Sequence, residues 1–239
     1  MELYLVRHGQ SHNNSLTDGI GRMCDPPLTE AGQAQAVQVA AHLSRKTGDL
    51  SLQTYPQASQ NCHGYGITRL LCSPMLRALQ TTQPIAKALG LSPHVWPDVH
   101  EQYGIWLDKD DGKGPVGLAG LSRSEIVEGF PGYELAEEIG EEGWWNRPVE
   151  TETQWRQRAI RVANEIRTRF GATDERVAVV GHGGFTNELM HELLGRAALP
   201  GIYFGQQNTG ITRMDFEENE VLRVRYVNRV VHLTPELIT

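Results

Sequence analysis

A chain of 239 residues is long enough to bury a full core and fits one large domain better than two small ones. Its 39% hydrophobic and 21% charged residues suit a globular protein in water, and no apolar run reaches bilayer-spanning length, so no membrane partner is expected. A net charge of −7 disfavours nucleic-acid binding, which draws on many basic contacts, so any anion site must be a local pocket.

Leu3-Tyr4-Leu5-Val6 has strand propensity and ends abruptly in Arg7-His8-Gly9. Arg7 can fork onto two oxygens of a phosphate or carboxylate, and Gly9 reads as a sharp turn allowing close approach to a ligand. Residues 10 to 28 read as a loop closed by Asp25-Pro26-Pro27, after which Thr29 caps an amphipathic helix to about Lys46 that Gly48 ends. Residues 48 to 66 show no period and form a long surface excursion.

Arg69-Leu70-Leu71-Cys72 reads as a short buried strand running into Ser73-Pro74, an N-cap followed by proline at the first helical position. Arg77 falls in that first turn, and the helix continues past Pro84 with a kink and stops at Gly90. Residues 94 to 150 are the least regular, with a short helix near Ser122 to Glu128 and a lid insertion at about 104–150. Trp106, Trp144 and Trp145 could line that flap or, the weightier alternative, anchor it to the core. Trp155, Ala159, Val162, Ile166 and Phe170 mark a helix ended by Gly171.

Val177-Ala178-Val179-Val180 has the look of a central parallel strand and runs into Gly181-His182, with a helix following to Gly195 whose free N-terminal amides favour an anion. Residues 202–204, 211–216 and 221–227 read as closing strands, the last two joined near Glu218-Asn219. Strand-helix alternation predicts an α/β fold, a mainly parallel sheet covered on both faces. Cys24, Cys62 and Cys72 lack paired spacing and read as buried thiols. With no secretory core near the N-terminus, the cytoplasm is the expected location.

Three strand ends thus supply Arg7-His8, Arg77 and His182, and if the strands are parallel neighbours these four side chains meet in one crevice. Two guanidiniums and two imidazoles ask for a dianion. No metal is expected, because no carboxylate lies at ligand spacing and two arginines repel a divalent cation. His191-Glu192 lacks the second histidine of a zinc protease and reads as surface.

Arg7-His8-Gly9-Gln10-Ser11 with Asn14, the run Pro27 to Ala36, the run Ser73 to Thr81, and Gly181-His182-Gly183-Gly184 together resemble the histidine phosphatase superfamily in its phosphoglycerate-mutase-like branch. The four blocks follow the family's order and span most of the chain. The resemblance implies a three-layer α/β/α sandwich, no cofactor, and reaction of a phosphorylated small molecule or side chain through a phosphohistidine. His8 matches the nucleophile, and Arg7, Asn14, Arg77 and His182 match the phosphate pocket. The family's glutamate stands four residues before a glycine, where this chain has His100, while Glu101 stands three before Gly104. Glu101 is nevertheless the expected proton donor, because proton transfer to an oxyanion suits a carboxylic acid, with Asp108 in reserve. Hydrolysis is the leading reading. A mutase outcome and a noncatalytic phosphate-binding module are the alternatives, and the sequence is silent on oligomeric state.

Overall fold

The computed structural model describes residues 1–46, 57–108, 111–195, 201–218 and 221–239. The expected helix stop at Gly48, residues 48–56 of the 48–66 excursion and Asn219 of the hairpin turn lie outside them. The described chain is a mixed α/β structure around a seven-stranded sheet. Its strands are β1 (Glu2–Arg7), β2 (Arg69–Cys72), β3 (His94–Val95), β6 (Glu134–Leu135), β7 (Arg176–Gly181), β8 (Ile211–Phe216) and β9 (Leu222–Arg229), and β4 (Trp106–Leu107) with β5 (Val116–Gly117) forms a separate small pair. The helices are α1 (His12–Ser15), α2 (Glu30–Leu43), α3 (Leu76–Leu89), α4 (Arg123–Gly129), α5 (Glu152–Phe170) and α6 (Gly183–Leu193).

The sheet order is β6-β3-β2-β7-β1-β8-β9, parallel from β6 to β1 and antiparallel at β8 and β9. Successive side chains of a strand point to opposite faces, and the core divides accordingly. Tyr4, Val6, Leu70, Cys72, Ala178 and Val180 join Val39 and Leu43 of α2 and Leu79 of α3 in one apolar cluster. Leu3, Leu5, Leu71, Val177 and Val179 join Ala159, Val162 and Ile166 of α5 and Phe185 and Leu189 of α6 in the other. Helices on both faces of the sheet make the three-layer sandwich.

Several local readings need correction. Residues 10 to 28 contain the one-turn helix α1. Helix α2 ends at Leu43 instead of near Lys46. Ser73 does not cap α3, whose N-cap is Met75; the carboxylate of Asp25 supplies the acceptors for the Leu76 amide at 3.1 and 3.2 Å. Helix α3 runs unbroken through Pro84 and closes on Gly90 in the left-handed conformation. Residues 202–204 are loop, not strand. Cys72 is buried, but Cys24 is only partly covered and Cys62 is exposed. His191 is buried against Phe204, with ring centroids 5.1 Å apart.

The 104–150 segment is tied to the body of the protein: β6 pairs with β3, and Ile126, Phe130, Ile139, Trp144 and Trp145 join the α2–α3 core. No helix among the described residues is long and apolar enough to cross a membrane.

Gly9 serves packing, not ligand approach. A Cβ there would sit 2.5 Å from the Gly32 carbonyl oxygen, and one on Gly32 would sit 2.1 Å from the Gln10 carbonyl oxygen. The turn after β1 therefore rests backbone to backbone on the first turn of α2. Alanine ordinarily favours a helix over glycine, yet Gly32→Ala is expected to destabilise by about 1–3 kcal/mol through overpacking. Chemical denaturation checks this, with the exposed Val37 of α2 as a Val37→Ala control; an unchanged midpoint for Gly32→Ala would refute the close approach.

Candidate active site

The carboxyl ends of β2, β7 and β1, neighbours in that order, all open on one edge of the sheet. Arg7 pairs in register with Gly181, His8 donates its amide to the Gly181 carbonyl at 2.9 Å, and Ser73 donates its amide to Val180 at 3.0 Å. Arg7-His8, Ser73 and His182 therefore leave the sheet side by side, and α3 carries Arg77 into the same space. Parallel strands that end together in front of helices leave such a crevice at their carboxyl edge.

Arg77 Nε donates to His8 Nε2 at 3.1 Å, and His8 Nδ1 lies 2.6 Å from the Gly9 carbonyl. A guanidinium can only donate and a carbonyl can only accept, so both contacts select the tautomer with the proton on Nδ1 and the lone pair on Nε2. Burial, with Arg77 and then Arg7 beside it, holds the His8 imidazole well below its ordinary pKa, so the ring is neutral. The site thus presents an uncharged imidazole nitrogen whose lone pair faces a cation.

His182 is fully buried, with its ring 5.1 Å from that of His8, and Nε2 lies 2.7 Å from the Ser73 hydroxyl. Freed from capping, Ser73 orients this second imidazole. Burial, with Arg77 next, also lowers the His182 pKa well below normal, and its Nδ1 has no hydrogen-bond partner. Arg7 donates from Nη1 to the Gln206 carbonyl at 2.5 Å, while its Nε is buried without a partner. Asn14 accepts from the Ser11 hydroxyl and amide through its carboxamide oxygen at 3.0 and 3.2 Å, which leaves its amide group as the donor it can offer. Asp25 stands 3.6 Å from Arg77 Nη1, and burial raises its carboxyl to about 6 against the opposing pull of Arg77.

The structure separates the two candidates at the family's glutamate position. His100 points inward, 1% exposed, with Nδ1 on the Pro97 carbonyl at 2.7 Å. Glu101 lines the crevice, and its carboxylate accepts the amides of Phe185 at 2.7 Å and Gly184 at 3.2 Å. The free amides at the start of α6 thus already hold an anion, the chain's own Glu101. A Cβ on Gly184 would come within 2.9 Å of that carboxylate, so glycine is needed for it to dock. Asp108 is exposed and outside the lining.

Arg7, His8, Asn14, Arg77 and Glu101 line one cavity of about 580 Å³, with His182 packed beneath it. Its mouth carries residues the sequence did not single out. Arg22 lies over the Trp106 ring at 5.8 Å, and Tyr103, Tyr203 and Gln207 complete the rim. Arg22 sits in an irregular loop without a period, and Tyr203 in a stretch read as a strand that is loop, so nothing in the sequence pointed either inward. Trp106 lines the pocket, whereas Trp144 and Trp145 are core residues. Among the described residues no group of three or more His, Cys, Asp or Glu could hold a metal ion.

Comparison with known proteins agrees with this architecture. The chain is 27% identical over 236 residues to the probable phosphoglycerate mutase GpmB of Cronobacter sakazakii, covering 95% of this chain and 90% of that protein. In fold it is similar to the phosphoserine phosphatase of Entamoeba histolytica solved with 3-phosphoglyceric acid, with a TM-score of 0.57, 20% identity, and coverage of 98% and 99% of the two chains. It is also similar to the alpha-ribazole phosphatase of Shigella flexneri, with a TM-score of 0.60, 18% identity, and 96% of each chain covered. The sequence profile described as histidine phosphatase superfamily (branch 1) matches residues 3–55 and 49–229, and the chain belongs to that superfamily.

Proposed function

We propose that the protein hydrolyses a phosphomonoester in two steps through a phosphohistidine on His8. In the first, His8 Nε2 attacks phosphorus in line, the bond from phosphorus to the ester oxygen breaks, and Glu101 gives its proton to the departing alkoxide. In the second, Glu101 takes a proton from water, the hydroxide attacks phosphorus, and the P–N bond breaks to release phosphate. Arg7, Arg77, His182 and Asn14 surround the transferring group with fixed donors, which is the main protein contribution to phosphoryl transfer. The observation that carries this reading is the tautomer lock on a neutral His8, with its lone pair facing the cavity and Arg77 positioned to pass its N–H from that lone pair to a phosphoryl oxygen.

A mutase outcome, in which the phosphoryl returns to a second hydroxyl, draws support from the name of the Cronobacter relative. Measuring phosphate release against interconversion of 2- and 3-phosphoglycerate separates the two. A noncatalytic module was attractive only if the carboxyl were displaced, and Glu101 lies in the pocket. We assign the 104–150 segment, a lid insertion within a single domain, to shaping access through Trp106. An odd number of cysteines, without the spacings of a zinc site or redox motif, suits a reducing compartment, so we place the protein in the cytoplasm.

With a substrate that is turned over, quenching is expected to trap an acid-labile, alkali-stable phosphoenzyme that His8→Ala abolishes; turnover without label would sink the proposal. The pH profile follows from the shifted groups. His8 is held below its ordinary 6.5, so it stays neutral as pH falls through that value and kcat shows no limb there. Asp25 carries a raised carboxyl pKa, and as pH drops through about 6 it loses the charge opposing Arg77, so kcat at saturating substrate falls. Asp25→Asn is expected to lower kcat and flatten that limb. A limb that stays put in this variant assigns it to another group.

The mouth also narrows the substrate class. Arg22 has no ion pair to a carboxylate among the described residues and is turned toward the cavity over Trp106. A substrate with a second oxyanion beyond the transferred phosphoryl would meet it, and the Entamoeba neighbour is named for phosphoserine, which carries a carboxylate. A phosphorylated acid is expected to exceed its neutral analogue in kcat/KM by on the order of tenfold, the worth of a charged hydrogen bond. Arg22→Gln should collapse that ratio. A ratio unmoved by the substitution removes Arg22 from recognition.

A further inference from the structure

Arg158 of α5 is the most deeply buried cation in the described chain, 0% exposed, and it touches no part of the cavity. A guanidinium has five N–H donors in a fixed fork, and each of these finds an acceptor. Nε and Nη2 grip the two carboxylate oxygens of Glu150 at 2.9 and 2.6 Å. Nη1 donates to the carbonyls of Asp98 at 2.9 Å and His100 at 2.8 Å, and Nη2 reaches the carbonyl of Glu101 at 3.4 Å. The plane of the same group lies over the ring of Phe185, 4.2 Å from its centroid.

These contacts fall on both ends of one residue. The Glu101 backbone is held through its own carbonyl and that of His100. The Glu101 carboxylate is held by the amide of Phe185, whose ring Arg158 covers. Glu150 closes the arrangement from the other side: its amide donates to the Tyr103 carbonyl at 3.1 Å, and its carboxylate lies 3.6 Å from His100 Nε2. The segment 98–103 is thus clamped at Asp98, His100, Glu101 and Tyr103 by a buried Arg–Glu pair that never reaches the substrate. Burial would push the Glu150 carboxyl up, but the Arg158 hydrogen bonds, aided by His100, bring it to about 2, so the pair stays ionised at neutral pH.

We infer that Arg158 and Glu150 are positioning residues that aim the Glu101 carboxyl at the leaving oxygen. This also accounts for the histidine at the family's glutamate position: His100 turns inward onto Glu150, and the next residue is swung into the pocket in its place. The inference rests on Glu101 as proton donor, and its test is built to separate the two.

A proton from the enzyme matters for an alkyl phosphate, whose leaving alkoxide is strongly basic, and little for p-nitrophenyl phosphate, whose phenolate leaves unaided. kcat/KM reports the first phosphoryl transfer to His8, so its leaving-group dependence reads the aim of the acid. Arg158→Lys keeps the charge but cannot make the fork. It is expected to lower kcat/KM for an alkyl phosphate on the order of 10- to 100-fold, as a misaimed acid does. It should change kcat/KM for p-nitrophenyl phosphate less than about threefold, with orthovanadate inhibition unchanged. Glu150→Gln, which preserves shape, should show the same selective loss and serves if Arg158→Lys does not fold. Glu101→Gln is the reference. If that variant shows no leaving-group selectivity, the reading of Glu101 fails. If it does while folded Arg158→Lys or Glu150→Gln loses both substrates equally, or neither, the positioning inference is overturned.

Discussion

The chemistry of this protein depends on taking two imidazoles and two guanidiniums out of water together at the ends of three adjacent strands. Burying a charged or polar group without partners is costly, and the fold meets that cost in two ways. The imidazoles become neutral, because burial and the neighbouring arginines both disfavour a proton on them. The guanidiniums keep their charge but are anchored: Arg7 on the Gln206 carbonyl, Arg77 between His8 and Asp25. What is left over, a lone pair on His8 Nε2 and the unpartnered Arg7 Nε and His182 Nδ1, is what the proposed phosphoryl group would meet. The sandwich makes this possible because alternating side chains of β1, β2 and β7 fill two separate apolar cores, and so hold three strand ends rigid where the polar residues begin.

Much of this was legible in the sequence because it is written in local patterns. The runs at Leu3, Leu70 and Val177 are short and apolar, and each is followed closely by a basic or imidazole residue (Arg7-His8, Arg77, His182), so strand ends and candidate site residues lie near one another in the primary structure. Helices α2, α5 and α6 show their periods plainly. The failures lie where a polar side chain serves a distant partner. Ser73 followed by proline has every local mark of an N-cap, yet the amide at Leu76 is satisfied by Asp25, some fifty residues upstream, and Ser73 turns to His182. Gly9 looked like a ligand-facing turn, but its constraint is the Gly32 backbone across the space between β1 and α2. Arg22 was invisible because a loop carries no period from which direction can be read, and Tyr203 because residues 202–204 read as a strand and are loop.

The choice between His100 and Glu101 is the sharpest case. Side-chain chemistry favoured the carboxylic acid, and motif spacing favoured the histidine; neither contains the fact that decides between them. The buried Arg158 guanidinium binds the backbone carbonyls of Asp98, His100 and Glu101 as well as the Glu150 carboxylate, and carbonyls have no identity in a sequence. Arg158 stands in α5 as one of several arginines in a row of polar residues, with only its place on the Trp155–Ala159 face to suggest burial. Its donors hold the loop before Gly104 at Asp98, His100 and Glu101, and the Glu101 side chain lines the pocket.

Helix N-termini commonly bind phosphate directly, through free amides and the aligned backbone dipole. Here that option is closed, since the start of α3 is capped by Asp25 and the start of α6 by Glu101, both residues of the chain itself. In the proposed reaction the phosphoryl group is therefore held by side-chain donors, and those carboxylates set the charge around them: Arg77 faces Asp25, and Glu101 acts on Arg7. Two positive charges are already opposed by two negative ones before a dianion enters. In the proposed reaction an entering dianion adds negative charge beside the Glu101 carboxylate, which the amides of Gly184 and Phe185 already offset.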